Sequence, residues 1–309
     1  MGSRPIIIDC DPGVDDAVAL LLAFASAELE ILGVTTVAGN VGAGLTARNG
    51  RVIAEIAGRL DVPVYAGAER ALMTPAIAAE HFHGQTGLGA LAFEEPKTPL
   101  AEGRAAHVIA STLRAAAPGS VTLAVTGPMT NIALALRSDP ECAQGVREIV
   151  VMGGARSEGG NITASAEFNI YADPHAAEIV FSSGLPVIAL GLDVTHKIRT
   201  NPARMQRLAA LGSARARAAV ELMRFGEKVE RELAGREGAP LHDPAVIAYI
   251  LRPDLFETRP CAIEVETSSA LTRGHTAVEF RVDPASARVR WGVDADAEAV
   301  FALIEEKLA

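Results

Sequence analysis

The sequence predicts an α/β fold, an open and mostly parallel sheet flanked by helices, with additional strands and helices toward the C-terminus. Three observations lead there. Short runs rich in Ile and Val alternate with longer helical stretches through the first two thirds of the chain, the pattern of repeated strand-helix-strand units. Those runs are continuously apolar, as in "EIVVM", which suits strands buried on both faces. The last third then changes to a charged helical stretch followed by strands of alternating character.

The first strand is read at 5–9 from "PIIID". The helix after it, 15–27, opens on two acids, favourable at a helix N-terminus, and continues in apolar residues. A second strand at 31–38 runs into the Gly-Asn turn of "TTVAGN", followed by a helix at 43–57 and a short strand at 63–65. A helix at 105–116 leads to a strand at 121–125 that stops at "TGP", and a helix at 131–137 leads to a strand at 148–152 that stops at "GG". Pro174 opens a helix at 174–183, and "PVIALGL" supplies the strand 186–192. Beyond a charged helix at 214–233, "CAIEVET", "TAVEFR" and "RVRWGV" read as an edge hairpin system. Stretches 69–95 and 231–241 lack periodicity and carry Gly, Pro and His, the composition of mobile flaps over a site. No repeat or low-complexity linker divides the 309 residues, which are read as one domain, 1–309.

Composition narrows the partners. The formal net charge is −10 and hydrophobic residues make up 49%, with a pI near 5.3 and a mean hydropathy of +0.23. An acidic surface repels nucleic acid and anionic membrane, so neither is an expected partner, and a neutral or cationic small ligand fits better. Apolar runs are too short or too interrupted by charge to span a bilayer. "MGSRPIII" enters a strand at once with no export signal in view. Cys10, Cys142 and Cys261 are widely spaced, with neither a disulfide framework nor a zinc-type cluster, so a reducing cytoplasm is expected.

The segment "IIIDCDPGVDDAVALLLAF" packs Asp9, Asp11, Asp15 and Asp16 into one turn between apolar runs. Like charges this close repel, so a divalent cation among them is the first reading. In open parallel sheets, ligands bind at the carboxyl ends of the strands. That edge collects Asp9 and Asp11 after the first strand, Asn40 after the second and Thr126 after the fourth, with Asn161, Glu167, Asn169, His242 and Asp243 expected to converge there. Plainer readings exist for each. Asp15 and Asp16 could serve only the helix dipole, Asp9 or Asp11 could cap a turn, and Asn40 could be a turn residue. His242-Asp243-Pro244 could be a helix start with Asp243 as its cap. His81 and His83 in "HFHG" read as surface-loop residues rather than metal ligands.

Together "DCDPGVDDAVAL", "TTVAGN", "HFHGQTG", "VTGPMTNIA", "VMGGA", "AEFNIYADP" and "LHDPAVIAY" resemble the signature segments of the nucleoside hydrolase family, in order and over nearly the whole chain. The resemblance implies a Rossmann-like core, ribonucleoside substrates and hydrolysis of the N-glycosidic bond to free base and ribose. It implies a calcium ion held by Asp11, Asp16, Asp243 and the main-chain carbonyl of Thr126, with Asp15 as base on a calcium-bound water and Asp9 as a nearby supporting acid. Ribose contacts would fall on Asn40, Asn161, Glu167 and Asn169, with Asp15 and Asp243 sharing the sugar hydroxyls. His242 and His83 would face the nucleobase, His242 donating a proton to a purine leaving group. A homo-oligomer, dimer or tetramer, is expected. The helix before "HDP" offers Phe225 and charged residues but no tyrosine, so purine, pyrimidine and broad base preference all stay open. Two alternatives share parts of the pattern: a haloacid-dehalogenase-type phosphatase using Asp9 and Asp11, and a non-catalytic ribonucleoside-binding protein.

Overall fold

The strand-helix alternation of the first two thirds becomes a wound sheet in the computed structural model, which describes residues 3–309. Strands β1 (Arg4–Cys10), β2 (Leu29–Thr36), β3 (Val64–Ala66), β4 (Val121–Val125), β5 (Val146–Met152) and β6 (Val187–Leu190) alternate with α1 (Val14–Ala25), α2 (Ala43–Ile56), α3 (Glu80–His83), α4 (Ala105–Ala115), α5 (Thr130–Ser138), α6 (Phe168–Ala172) and α7 (Pro174–Phe181). After β6 come α8 (Leu192–Thr195), α9 (Pro202–Ala210), α10 (Ala214–Ala234) and α11 (Pro244–Leu251), then β7 (Phe256–Val265), β8 (Thr276–Glu279), β9 (Val289–Ala295) and α12 (Ala297–Leu308). The expected strands and helices of this part are all present, with ends displaced by two residues or fewer.

The strands form one nine-stranded sheet in the order β3-β2-β1-β4-β5-β6-β9-β7-β8. From β3 to β9 every neighbour is parallel, and β7 and β8 add antiparallel pairs at one end. The expected edge hairpin system is therefore corrected in one respect, since β9 is interior. Val289, Trp291 and Gly292 are buried there, and Trp291 is among the largest fully buried side chains, too apolar a strand to leave at an edge.

Alternation along each strand feeds two cores, one per face. Ile6, Ile8, Ala124, Val150 and Met152 pack on the side covered by α1, α10, α11 and α12. Their neighbours Ile7, Leu123, Val125, Ile149 and Val151 pack on the side of α4, α5 and α7. This is the physical reason the runs are continuously apolar. Helix α1 lies deepest, with Leu20, Leu21 and Leu22 at 0% exposure, each contributing about 1.5–3 kcal/mol by burial.

Strand order reverses at β1, whose sequential neighbour β2 lies on one side and β4 on the other. The crevice at such a reversal, beyond the carboxyl ends of the strands, is where this architecture binds ligands. Stretch 69–95 is irregular apart from α3, as expected. The other expected flap is shorter than 231–241, because α10 continues to Ala234 and Gly235, at φ +64, closes it.

Candidate active site

The acidic turn after β1 is held together by one of its own members. Asp16 Oδ2 accepts from Gly13 N at 3.0 Å and Asn40 Nδ2 at 2.8 Å, while Oδ1 accepts from Asp11 N at 3.3 Å and Thr126 Oγ1 at 2.8 Å. Asp16 thus caps α1, the bland reading, and also ties the ends of β1, β2 and β4 into one floor. Asp11 lies beside it with Oδ2 accepting from Asn40 N at 2.7 Å, and its Oδ1 is buried without a hydrogen-bond partner. The backbone approaches this carboxylate so closely that a Cβ on Gly39 would fall 2.0 Å from Oδ2, and one on Gly127 2.7 Å from Oδ1. Both positions need glycine.

Above this floor, carboxylate oxygens of Asp15, Asp16 and Asp243 lie within 4.8 Å of one another. Asp15 Oδ1 is buried without a hydrogen-bond partner. Asp243 does stand at the start of α11, but its side chain makes no cap hydrogen bond; the helix-start reading explains its place in the chain and not its carboxylate. The main-chain carbonyl of Thr126 also reaches this region and accepts from Asn169 Nδ2 at 2.7 Å.

The electrostatics follow from burial. Asp16 is pushed up to about 6, by burial and then by the charge of Asp15, and burial also raises Asp15. Asp11 and Asp243 rise well above the ordinary carboxylate range, burial first and neighbouring acids next. Asp9 is pushed up to about 7 by burial, against hydrogen bonds from Thr35 and Asn131. So many desolvated carboxyls with unpartnered oxygens suit a bound cation, which would favour their charged forms.

Above the floor opens a cavity of about 330 Å³. Asp15, Asn40, His83, Thr126, Asn161, Glu167, Asn169, His242 and Asp243 all line it, whereas Asp11 and Asp16 stand just behind the wall. Asp9 does not line it. That carboxylate is buried below, accepting from Thr35 Oγ1 at 2.6 Å and Asn131 Nδ2 at 2.8 Å, a position that leaves no room for it as a phosphatase nucleophile.

One rim is amide-rich. Asn40 and Asn169 spend their Nδ2 groups on the protein, Asn40 on Asp11 O and Asp16, Asn169 on Thr126 O and Met152 O. Each is left with its Oδ1 as an acceptor. Asn161 is the reverse, since its Oδ1 accepts from Phe168 N at 2.8 Å, which leaves Nδ2 to donate. Glu167 caps α6, accepting from Asn169 N at 2.9 Å, Gly154 N at 2.9 Å and Ile170 N at 3.3 Å, and burial pushes it up to about 7.

The other rim carries imidazoles. The surface-loop reading of His83 is corrected: its Nδ1 accepts from Val14 N at 3.1 Å, docking the 69–95 stretch onto the start of α1. His242 Nδ1 lies 2.8 Å from Thr195 Oγ1. Burial lowers His83 to about 4 and His242 to about 3, so both are neutral near pH 7. Sequence reasoning missed Thr195 at the end of α8 and His196 just after it, as well as Glu158, whose Oε2 lies 3.0 Å from His196 Nδ1. The signal was available, because "DVTH" directly follows a strand end, like the residues that were found.

An acid floor, an amide rim and an imidazole rim at the carboxyl edge of a parallel sheet define an α/β enzyme built for a small polar substrate. Within that class, the chain belongs to the inosine-uridine preferring nucleoside hydrolase family, whose model matches residues 6–302. It is 47% identical over 277 residues to a pyrimidine-specific ribonucleoside hydrolase, RihA, of Salmonella typhimurium, covering 89% of this chain and 88% of the relative. A purine-preferring ribonucleoside hydrolase from Gardnerella vaginalis superposes with a TM-score of 0.92 at 30% identity, over 99% of this chain and 98% of that one. A plant nucleoside hydrolase does so with a TM-score of 0.90 at 30% identity, over 99% and 98%. The protein is an enzyme that hydrolyses the N-glycosidic bond of ribonucleosides, and both alternative readings of the sequence fall away.

Proposed function

We propose that the cavity takes a ribonucleoside with its ribose on the amide rim and its base against His242 and His83, and that Asp15 is the catalytic base. The observation that carries this reading is the partnerless Oδ1 of Asp15, set in the cavity wall between the acid floor and the sugar-facing amides. Cleavage builds oxocarbenium character at C1′, so a water must be aimed at one face of the sugar while the base departs from the other. Asp15 takes the proton from that water, and burial, by raising its pKa, makes it a stronger base than a surface aspartate. The Oδ1 atoms of Asn40 and Asn169 accept from sugar hydroxyls, Asn161 Nδ2 donates to them, and Asp15 and Asp243 share the diol.

The residues of the floor fit a hard divalent cation, since every donor is oxygen and Asp11 Oδ1 is buried without a partner. Asp11, Asp16, Asp243 and the Thr126 carbonyl would hold it, and calcium, which takes six to eight oxygens, suits them best. When bound, it supplies charge to lower the pKa of the attacking water and to orient the diol. Elemental analysis of gently purified protein is expected to find about one calcium per chain, the count a single cluster of this kind allows. Chelation should abolish activity and calcium restore it, and full activity in chelator would remove the metal from the reading.

The favoured base is a pyrimidine, in keeping with the pyrimidine-specific relative. The face of α10 toward the cavity carries Met223, Gly226, Val229 and Glu230, a wall without a tyrosine. In a panel of uridine, cytidine, inosine and adenosine, free base and ribose should appear fastest from the first two. Release from none of the four would refute the whole assignment, and faster release from the purines would overturn the base preference alone.

The catalytic unit is taken to be a single domain over 1–309. A cytoplasmic enzyme is supported by three cysteines that are all free and buried; among the described residues no helix is long and apolar enough to cross a membrane. The reading includes a homo-oligomer, dimer or tetramer, to which the exposed Met73 and Leu271, at 71% and 87%, could contribute contacts.

A further inference from the structure

Helix α8 begins where β6 ends and brings Thr195 against His242 from below the cavity rim. Thr195 is at 0% exposure, and its Oγ1, 2.8 Å from His242 Nδ1, has no other hydrogen-bond partner among the described residues. A hydroxyl and a ring nitrogen can bond in either direction, so the direction is decided by what each alternative leaves unpaired. If Nδ1 carried the proton and donated to Thr195, the threonine O–H would be a buried donor with nothing to bond, a state native interiors avoid. If the hydroxyl donates, every group at the contact is satisfied and the proton of the ring sits on Nε2. The ring lines the cavity, and Nε2 has no protein partner among the described residues. His83 supplies an internal comparison, because the backbone N–H of Val14 that meets its Nδ1 at 3.1 Å can only donate, which puts that ring in the same tautomer by necessity.

We propose that Thr195 is a positioning residue that fixes His242 in its Nε2–H tautomer, so that a hydrogen-bond donor is permanently aimed at the departing base. This rests on the reading that His242 faces the base. As the C1′–N bond breaks, its electron pair stays with the base, the water oxygen bonds to C1′ and the water proton goes to Asp15. The Nε2–H meets the negative charge growing on the base, such as that on O2 of a pyrimidine, without itself having to change partners. His242 acts in this step by donating a hydrogen bond rather than by handing over a proton, which differs from the role expected from the sequence.

The test uses the calcium-loaded enzyme labelled with ¹⁵N in its histidines, with His242 assigned by comparison with His242→Ala. A proton on Nε2 and none on Nδ1 is expected in the wild type, and a mixture of tautomers in Thr195→Val, which keeps the shape and removes the hydroxyl. A wild-type proton on Nδ1 overturns the proposal. In kinetics, Thr195→Val should lower kcat on uridine by roughly 10–100-fold, as expected for a misdirected donor, and leave p-nitrophenyl riboside within about 3-fold, since nitrophenolate departs without help. Thr195→Ser, which retains the hydroxyl, should recover most of the loss. Equal losses on both substrates, or no rescue by serine, would assign Thr195 a merely structural role. Should the valine variant not fold, the wild-type spectrum and the serine variant still decide. If His242→Ala hydrolyses uridine at the wild-type rate, the reading of His242 itself fails; if it is impaired while Nδ1 carries the proton, only the Thr195 proposal fails.

Discussion

Asp15→Asn is expected to lose roughly 10²–10⁴-fold or more in turnover on a good ribonucleoside substrate while remaining folded, because removal of a base acts on the transition state. The geometry separates this residue from its neighbours. Asp16 uses both oxygens to bind four groups from three strand ends, and Asp11 anchors Asn40, so substitutions at either position disturb the floor. Asp15 instead keeps one oxygen without a partner and retains 20% side-chain exposure at the cavity wall. Asparagine preserves its volume and removes one charge from a crowded set, so the melting temperature should not fall. Calcium content, measured on the same preparation, should persist because the proposed ligands are untouched. Near-normal turnover would refute Asp15 as the base. It could not move the role to Asp9, whose carboxylate lies beneath the floor and outside the cavity.

Replacing uridine by 2′-deoxyuridine should cost roughly 10³–10⁵-fold in kcat/KM, since a site built to bond a hydroxyl is left with unpaired polar groups when that hydroxyl is missing. The accounting on the amide rim gives this its direction. Asn40 and Asn169 have committed their N–H groups to Asp11, Asp16, Thr126 and Met152, so they cannot rotate to offer a different face without breaking the floor. What they present is acceptor oxygen, which only a donor such as a sugar hydroxyl can satisfy. Asn161 differs in having a donor to offer, and Asn161→Ala should weaken binding of ribose and deoxyribose substrates by different amounts. Equal kcat/KM for uridine and its deoxy analogue would contradict a clamp on the diol.

Much of this was legible in the sequence, for identifiable reasons. A parallel strand must be apolar on both faces, so Ile6, Ile7 and Ile8 announce a strand even though they feed different cores. Polar residues directly after such runs had to lie on one edge, and that rule gathered Asp9, Asp11, Asn40 and Thr126, whereas Asn169, past the loop after β5, and Asp243, after α10, were only expected to converge there. It would have gathered Thr195 as well, had it been applied to β6. Helices α9 and α12 were missed although Asn201 before Pro202 and Asp296 cap their N-termini through side-chain hydrogen bonds, a start signal readable in the sequence. Two features had no local signal. Nothing in "HFHG" tells that His83 folds back onto the N-terminus of α1, and nothing in "RVRWGV" tells that its strand is inserted between β6 and β7 rather than added outside them, because both depend on partners far away in the chain.

The placement of β9 bears on the order in which the molecule can be assembled during synthesis. Strands β1 to β6 can pair among themselves as soon as residue 190 is available, and β7 with β8 can form a hairpin of its own, but neither piece has a partner edge for the other until residues 289–295 have emerged. That late strand also carries Trp291, whose ring lies against Gly154 and Gly191 at the exits of β5 and β6, the same exits that lead to the amide rim and to α8. A chain that has not yet extended through residue 295 therefore holds the proposed catalytic side chains but not the wedge that sets two of the loops bearing them, so competence is expected only once β9 has been inserted.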